Sequence, residues 1–364
     1  MSVANHWRYV VHCAPGLLGS FGSTLRAVLG ERALVVLTDA TVYELHGREL
    51  QRSCADVALP VQWVVIPPGE TSKSLAMFAK VLDRLAELGF DRRSVLINFG
   101  GGVICDLGGF VAASYMRGVD YVNFSTTLIG QLDASLGGKV AVNSASAKNL
   151  IGAFHHPRHV GADPEVLRTL SSRDLKSGIA EAIKIAIISS PTLFELLQAQ
   201  QDRIVSRCAH TLAAVVGLAA RLKMDLVARD PCEADLRRPL NLGHTLGHPI
   251  ESVVGYGVIK HGEAVAVGTT LATLISLERK LIARREAERI FDLMHAYGLL
   301  GCATPVPVRQ VLEKLRYVRM IRGNHLFFVL PRAVGDVVVD DTVTDAEIER
   351  AFAARVDLVA RGRA

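Results

Sequence analysis

The sequence is short of aromatics and of net charge. Phe, Tyr and Trp make up 6% of its 364 residues, and 41 basic residues stand against 36 acidic ones, a formal excess of +5. The Lys and Arg residues are scattered, so no basic block offers a track for nucleic acid. A small positive excess suits anionic metabolites instead. Six cysteines (Cys13, Cys54, Cys105, Cys208, Cys232 and Cys302) lie far apart, and no C-x-x-C pair occurs. In a chain of this size that pattern points to reduced thiols in the cytoplasm, not to a disulfide frame. No window approaches the roughly 18 apolar residues of a membrane span, and "MSVANHWRYVVH" has no signal-peptide apolar core. The expectation is a cytoplasmic chain with neither a membrane nor a nucleic-acid partner, of about two domains.

What the chain does have is alternation. The runs "YVVH" (Tyr9–His12), "ALVVLTD" (Ala33–Asp39), "VQWVVI" (Val61–Ile66), "SVLINF" (Ser94–Phe99) and "YVNF" (Tyr121–Phe124) read as strands. Between them Ser72–Leu88 repeats apolar residues at helical steps. Near-continuous apolar strands alternating with helices predict a mostly parallel sheet with helices on its faces. From about Arg168 long amphipathic patterns take over, at Ser171–Leu197, Asp202–Arg229, His244–Tyr256 and Ala264–Leu299. A β-prone run, His325–Pro331, and a helix from near Asp345 close the chain. The expected architecture is an α/β dinucleotide-binding domain over residues 1–168, then a mainly α-helical domain over 169–364, with a cleft between them.

The α/β half lacks the G-x-G-x-x-G fingerprint of dinucleotide folds. In its place stands "NFGGGVICDLGGF" (Asn98–Phe110), after a strand and before a helix. Gly100, Gly101 and Gly102 leave the backbone bare for close approach, and a helix N-terminus offers free N–H groups to a phosphate. Either a dinucleotide pyrophosphate or a tight turn alone accounts for the motif, and the first reading is preferred. "PPGETSKS" (Pro67–Ser74) sets Glu70 and Lys73 at a loop–helix junction, to meet a ribose or phosphate or simply to start the helix. Asp39, ending a strand, meets a ribose hydroxyl or caps the next helix. "STTLIGQLDASLGGKVAVN" (Ser125–Asn143) carries Asp133 and Lys139, and "SAKNLIGAFHHP" (Ser144–Pro157) adds Lys148, Asn149, His155 and His156. Such lysines gather on a multiply charged small molecule or lie solvated on the surface.

In the helical half, "GIAEAIK" puts Glu181 and Lys184 on one face of an otherwise apolar helix, where they must be paired, ligated or at an edge. "LRRPLNLGHTLGHPIE" (Leu236–Glu251) sets His244 and His248 one turn apart, with Glu251 a further turn on, and "KHGEAVAVG" supplies His261 and Glu263. Several imidazoles with Glu181 fit a zinc-type site open to substrate, and spacing alone nominates His244 and His248 as the ligand pair.

Taken in order, these blocks, with "GGGVICDLGGFVAASYMRG" among them, resemble the 3-dehydroquinate synthase family and its sugar phosphate cyclase relatives from about residue 60 to 270. The resemblance implies an N-terminal NAD domain, a helical metal domain and a homodimer. It implies Zn²⁺ or Co²⁺ on Glu181, His244 and His261, with His248 facing the substrate, which departs from the pair that spacing nominates. NAD is implied at Asp39, Glu70, Lys73, Gly101, Gly102, Val103, Asp106, Thr126, Thr127 and Lys148. A sugar phosphate is implied at Lys139, Asn149, Lys223, Arg237, Asn241, His248 and Arg319, with Arg117 reaching the neighbouring subunit's site. Catalysis is implied at Asp133, Lys139, Lys184, Asn241 and His248. The implied reaction closes 3-deoxy-arabino-heptulosonate 7-phosphate to 3-dehydroquinate by transient oxidation, phosphate elimination, reduction and aldol addition. Arg237 and Lys223 match that branch's carboxylate clamp. Three departures keep a specialised paralogue open, one taking sedoheptulose 7-phosphate or an amino-heptulosonate. "YVRMIRGNHLFF" (Tyr317–Phe328) stands where the family has "DKK", Ser125 replaces a proline, and Val140 replaces a threonine. An alcohol dehydrogenase of the iron-containing type is a third reading, but it needs fewer anion-binding charges.

Overall fold

The computed structural model describes residues 8–144, 148–232, 236–255, 257–301, 305–321 and 325–361. Cys302 and Tyr256 fall outside them, and the five described cysteines are all free thiols. The chain divides into two compact units. One is Met1–Leu170 with Arg207–Met224, and the other is Ser171–Ser206 with Asp225–Ala364.

The first unit runs β1 (Val10–Cys13), α1 (Leu17–Leu29), β2 (Leu34–Asp39), α2 (Ala40–Val42), α3 (Arg48–Ala55), β3 (Val61–Ile66), α4 (Leu75–Glu87), β4 (Val95–Gly100), α5 (Gly102–Ser114) and β5 (Asp120–Ser125). A hairpin of β6 (Lys139–Val142) and β7 (Ile151–Phe154) follows, then β8 (His159–Ala162). Six strands form one sheet in the order β1-β8-β5-β4-β2-β3, every pair parallel. Burial explains why β2 and β4 read as unbroken apolar runs: helices cover both faces, so neither side of these strands meets water. On one face Val81 and Leu85 of α4 and Leu107 and Val111 of α5 pack against Val35, Leu37, Val64 and Leu96.

Parallel pairing brings the strands' carboxyl ends, Asp39, Ile66, Gly100 and Ser125, to one edge. The chain passes from β2 outward to β3, then returns to β4 on the far side of β2 and continues away. Outside the β2 and β4 ends is therefore the switch point where such sheets hold ligands. A chain of buried amides fixes the α5 side of this edge. Asn98 Nδ2 donates to Asn123 Oδ1 at 3.0 Å, and Asn123 Nδ2 to the Ser135 carbonyl at 2.9 Å. A Cβ on Gly108 of α5 would lie 1.9 Å from Asn98 Oδ1. Gly108→Ala is thus expected to destabilise by about 1–3 kcal/mol, lowering the urea midpoint at unchanged slope.

The second unit is helical: α6 (Ser172–Ser189), α7 (Pro191–Ala199) and α8 (Gln201–Val205), then α10 (His244–Val254), α11 (His261–Glu278), α12 (Arg284–Ala296) and α13 (Val308–Ile321) after the intervening α9 (Ala209–Arg229). A hairpin of β9 (Phe328–Ala333) and β10 (Asp336–Asp340) and a last helix, α14 (Asp345–Arg361), complete it. Helix α11 is buried almost all round and packs against α6, α10 and α14. The start of α9 groups instead with the first unit. There Tyr9 Oη donates to Met224 Sδ at 3.0 Å, and Ala220 packs on Leu136 and Val160.

Several elements differ from the sequence reading. The span Ser171–Leu197 breaks at Ser190, whose hydroxyl caps Leu193 N, because Pro191 cannot continue α6. Arg207, at φ 62°, breaks the span Asp202–Arg229, and Lys280, at φ 58°, breaks the span Ala264–Leu299. Strands β6, β7 and β8 have four residues each, too few to show a period.

At the start of α14, Thr344 N donates to Glu347 Oε2 at 2.8 Å and Glu347 N to Thr344 Oγ1 at 3.3 Å, a reciprocal cap. Arg279 forks onto both Glu347 oxygens at 2.6 and 2.9 Å. The Arg279 bonds, aided by Thr344 and opposed by partial burial, pull the Glu347 carboxyl from 4.5 down to about 2. A depressed acid contributes its stability above the unfolded value and loses it as pH falls toward the folded one. Glu347→Gln is expected to cost on the order of 2 kcal/mol at pH 7. The deficit should shrink as urea titrations move from pH 5 to pH 3.

Candidate nucleotide and metal sites

The carboxyl edge of the parallel sheet collects most of the nucleotide candidates. Gly101 precedes the first turn of α5, which holds Gly102 and Val103, and Thr126 N donates to the Gly100 carbonyl at 3.0 Å. A Cβ on Gly101 would meet Thr127 Cγ2 at 2.8 Å, so these threonines wall the bare turn. Lys73, buried to 4% exposure, reaches Asp106 and Asn149 with its ammonium. Burial raises the Asp106 carboxyl and Lys73 opposes that shift. Glu70 sits 3.5 Å from Lys148 and accepts from Asn143 Nδ2 at 2.8 Å. Asn143 was not singled out in the sequence, and no spacing marks it. Its backbone N–H bonds the Lys73 carbonyl, which ties the two loops together. Asp39 accepts from Val42 N at 3.0 Å, so the capping role is realised.

Asp133 pairs with Lys223 of α9, Nζ to Oδ1 at 2.7 Å, within the first unit. Lys139 opens β6 and is exposed. Arg117 does not join the nucleotide candidates. It precedes β5 at the opposite, amino-terminal edge of the sheet, with φ 67°, in a cavity of about 400 Å³ also lined by Arg92, Asp120 and His155.

Three helices build the candidate metal centre of the second unit. Glu181 on α6 is fully buried, and among the described residues neither of its oxygens receives a hydrogen bond of ordinary geometry. Nitrogen groups surround it instead: Lys184 Nζ lies 2.6 Å from Oε2, and His244 Nε2 and His261 Nε2 lie 3.5 and 3.4 Å from Oε1. Burial pushes this carboxyl up, but Lys184 and the two imidazoles outweigh it and hold it well below the usual range. Burial pulls His261 down, yet the Glu181 carboxylate beside it and the hydrogen-bonded Glu251 raise it above an ordinary imidazole. The centre thus draws positive charge to one point, and a divalent cation supplies what protons otherwise supply.

The donors of His244, His248 and His261 lie within 4.8 Å of one another. Two of the three rings are oriented for a common centre. His244 Nδ1 bonds the Leu242 carbonyl at 3.1 Å and His261 Nδ1 bonds Glu251 Oε2 at 3.1 Å, which turns both Nε2 atoms toward Glu181. His248 is exposed beside them. Helix α10 can begin against α11 only because Gly243, at φ 77°, has no Cβ to meet Thr269 Oγ1 at 2.4 Å. The donor set, two imidazoles and a carboxylate, fits zinc or cobalt.

Before α10, a short turn, Arg238–Asn241, follows Arg237, whose side chain is wholly buried and whose Nη1 donates to the Pro231 carbonyl at 3.1 Å. Asn241 ends that turn half-buried, and Arg319 sits half-buried on α13. A contact invisible in the sequence joins the late segment to this region: Arg238 lies 3.9 Å over the Phe327 ring, and Thr245 Oγ1 donates to the Phe327 carbonyl at 2.9 Å. Two departures from the family pattern are matters of packing. Val140 is 4% exposed against Gly109 of α5, and Ser125 is fully buried, with Oγ donating to the Thr127 carbonyl.

A doubly wound parallel sheet with a glycine turn at its switch point, and a helical unit with a buried carboxylate among three histidines, define the dehydroquinate synthase-like fold class. The chain belongs to the 3-dehydroquinate synthase family of sugar phosphate cyclases. The family's N-terminal model matches residues 63–177 and its C-terminal model residues 178–319. A 2-epi-valiolone synthase of Actinosynnema mirum is 42% identical over 94% of this chain and 91% of the relative. A 3-dehydroquinate synthase of Caulobacter vibrioides is 40% identical over 94% of each. Among solved structures, a 2-epi-5-epi-valiolone synthase from Streptomyces hygroscopicus with NAD⁺ and Zn²⁺ bound superposes with a TM-score of 0.91. It is 30% identical, over 98% of this chain and 99% of that one.

Proposed function

We propose that the chain is a cytoplasmic, NAD- and divalent-metal-dependent cyclase of a seven-carbon ketose 7-phosphate, releasing phosphate with no net redox change. The observation that carries this reading is the convergence of Glu181 with the Nε2 atoms of His244 and His261. Those three hold the metal, and Asp39, Glu70, Lys73, Lys148 and the Gly101–Asp106 turn hold NAD. When bound, the two groups supply transient hydride acceptance and polarisation of a substrate oxygen. The domains are residues 1–168 for NAD and 169–364 for metal and substrate.

The chain's own residues do the rest. Lys184 keeps Glu181 ionised. Exposed His248, beside the ligands, moves a proton at the substrate. Lys139, Asn149, Lys223, Asn241 and Arg319 hold the sugar phosphate in one geometry, and Asp133 fixes Lys223. Arg117, far from its own chain's nucleotide residues, serves a neighbouring subunit of a homodimer.

The first substrate reading is 3-deoxy-arabino-heptulosonate 7-phosphate, giving 3-dehydroquinate for the shikimate pathway, because a wholly buried Arg237 suits a substrate carboxylate. A second reading, sedoheptulose 7-phosphate, is favoured by the 42% identity to a 2-epi-valiolone synthase and by the altered Tyr317–Phe328 segment. The test offers both sugars to purified protein with NAD and Zn²⁺ or Co²⁺, following phosphate release and product mass. Release from the first alone supports dehydroquinate synthesis, and release from the second alone supports the paralogue. Net accumulation of NADH would instead mean a dehydrogenase.

A further inference from the structure

We infer that Glu251 is a positioning residue that aims and charges His261 for the metal. The inference rests on the metal reading above. Glu251 is 4% exposed on α10, the helix that also carries His244 and His248. Its Oε2 lies 3.1 Å from His261 Nδ1, on the side of the ring opposite the Nε2 that faces Glu181. A carboxylate there fixes the tautomer with hydrogen on Nδ1 and leaves the Nε2 lone pair for the ion.

The rest of His261's surroundings explains why one brace is needed. His261 is the first residue of α11, and its backbone is well anchored. Lys260 N donates to Glu263 Oε2 at 2.8 Å, Arg173 forks onto both Glu263 oxygens at 2.7 Å, and Gly262 N donates to Ser177 Oγ at 2.8 Å. None of these bonds touches the imidazole. The ring keeps 26% of its side chain exposed, so packing alone does not set its rotation. Glu251 does. His244 needs no such partner, because the Leu242 carbonyl performs the task from its own helix start. The two braces differ in charge, one a neutral carbonyl and the other an anion. Lys184 draws charge from Glu181 at 2.6 Å, and Glu251 returns negative charge to the ligand set through the ring.

The test is a Co²⁺ titration of metal-stripped full-length protein, read by visible absorption, for wild type, Glu251→Gln and Glu251→Ala. NAD binding and thermal unfolding serve as controls. Glu251→Ala is expected to weaken Co²⁺ by roughly 10–100-fold, with NAD affinity unchanged. Glu251→Gln keeps shape and acceptor but not charge, and should fall between. Co²⁺ binding within twofold of wild type in both variants, with lowered thermal stability, would reduce Glu251 to a packing residue. Wild-type protein that takes up no Co²⁺ would overturn the metal reading and this inference with it.

Discussion

Replacing His261 with alanine is expected to abolish divalent-metal binding and turnover while leaving the fold intact. The loss should exceed the 10–100-fold typical of a lost supporting residue, reaching at least roughly 10³-fold in metal affinity. The fold should survive because Glu181 keeps Lys184 at 2.6 Å and so stays a paired, ionised carboxylate. The control is His248→Ala. Its ring lies 5.6 Å from that of His261 and its donor belongs to the same cluster, so helical spacing alone would pair it with His244. If Glu181, His244 and His261 are the ligands, His248→Ala keeps stoichiometric Co²⁺ while losing turnover. If His248→Ala loses the metal and His261→Ala retains it, the pair read from spacing is right and the resemblance misassigns the site. Equilibrium dialysis of the two variants separates these outcomes without any substrate.

That choice shows where the sequence is legible and where it stops. Strands β2, β4 and β5 are readable because burial on both faces leaves them no polar alternation, and the half-exposed edge strand β3 still falls at Val61–Ile66, as its apolar run predicts. Hairpin β6–β7 is not readable. Its strands are short, and its register depends on Gly152 passing against the Val140 carbonyl, where a Cβ would come within 2.1 Å. Histidines four apart on one helix announce themselves, whereas the third imidazole of the cluster arrives on α11, after a turn. Its orientation by Glu251 is a relation between two helices that no period records. Asp39 shows the converse: its position at a strand end suggested two roles, and the structure displays the capping bond directly. The docking of Phe327 under Arg238 had no signal at all, since one lies in an irregular segment and the other in a turn.

Arg237→Ala is expected to divide the two substrate readings by raising KM for one sugar only. The guanidinium is wholly buried, held by the Pro231 carbonyl at 3.1 Å, and its backbone N–H bonds Asp230 Oδ2 at 3.2 Å, so its place is set before any ligand arrives. For a carboxylated heptulosonate phosphate, removing a buried, charge-assisted partner costs about 2–5 kcal/mol, or roughly 30- to 4,000-fold in KM. For sedoheptulose 7-phosphate, which has no carboxylate, the same change removes no matching bond, and KM should move less than about threefold. Arg237→Lys supplies the check on structure: it keeps the charge but not the planar fork, so a carboxylate substrate should suffer an intermediate loss. Equal increases for both sugars, with a fall in melting temperature, would show that Arg237 supports the turn before His244 and not a substrate. An unchanged KM for the carboxylated sugar would remove the main physical reason for preferring dehydroquinate. The weight would then pass to the reading that the Actinosynnema mirum relative favours.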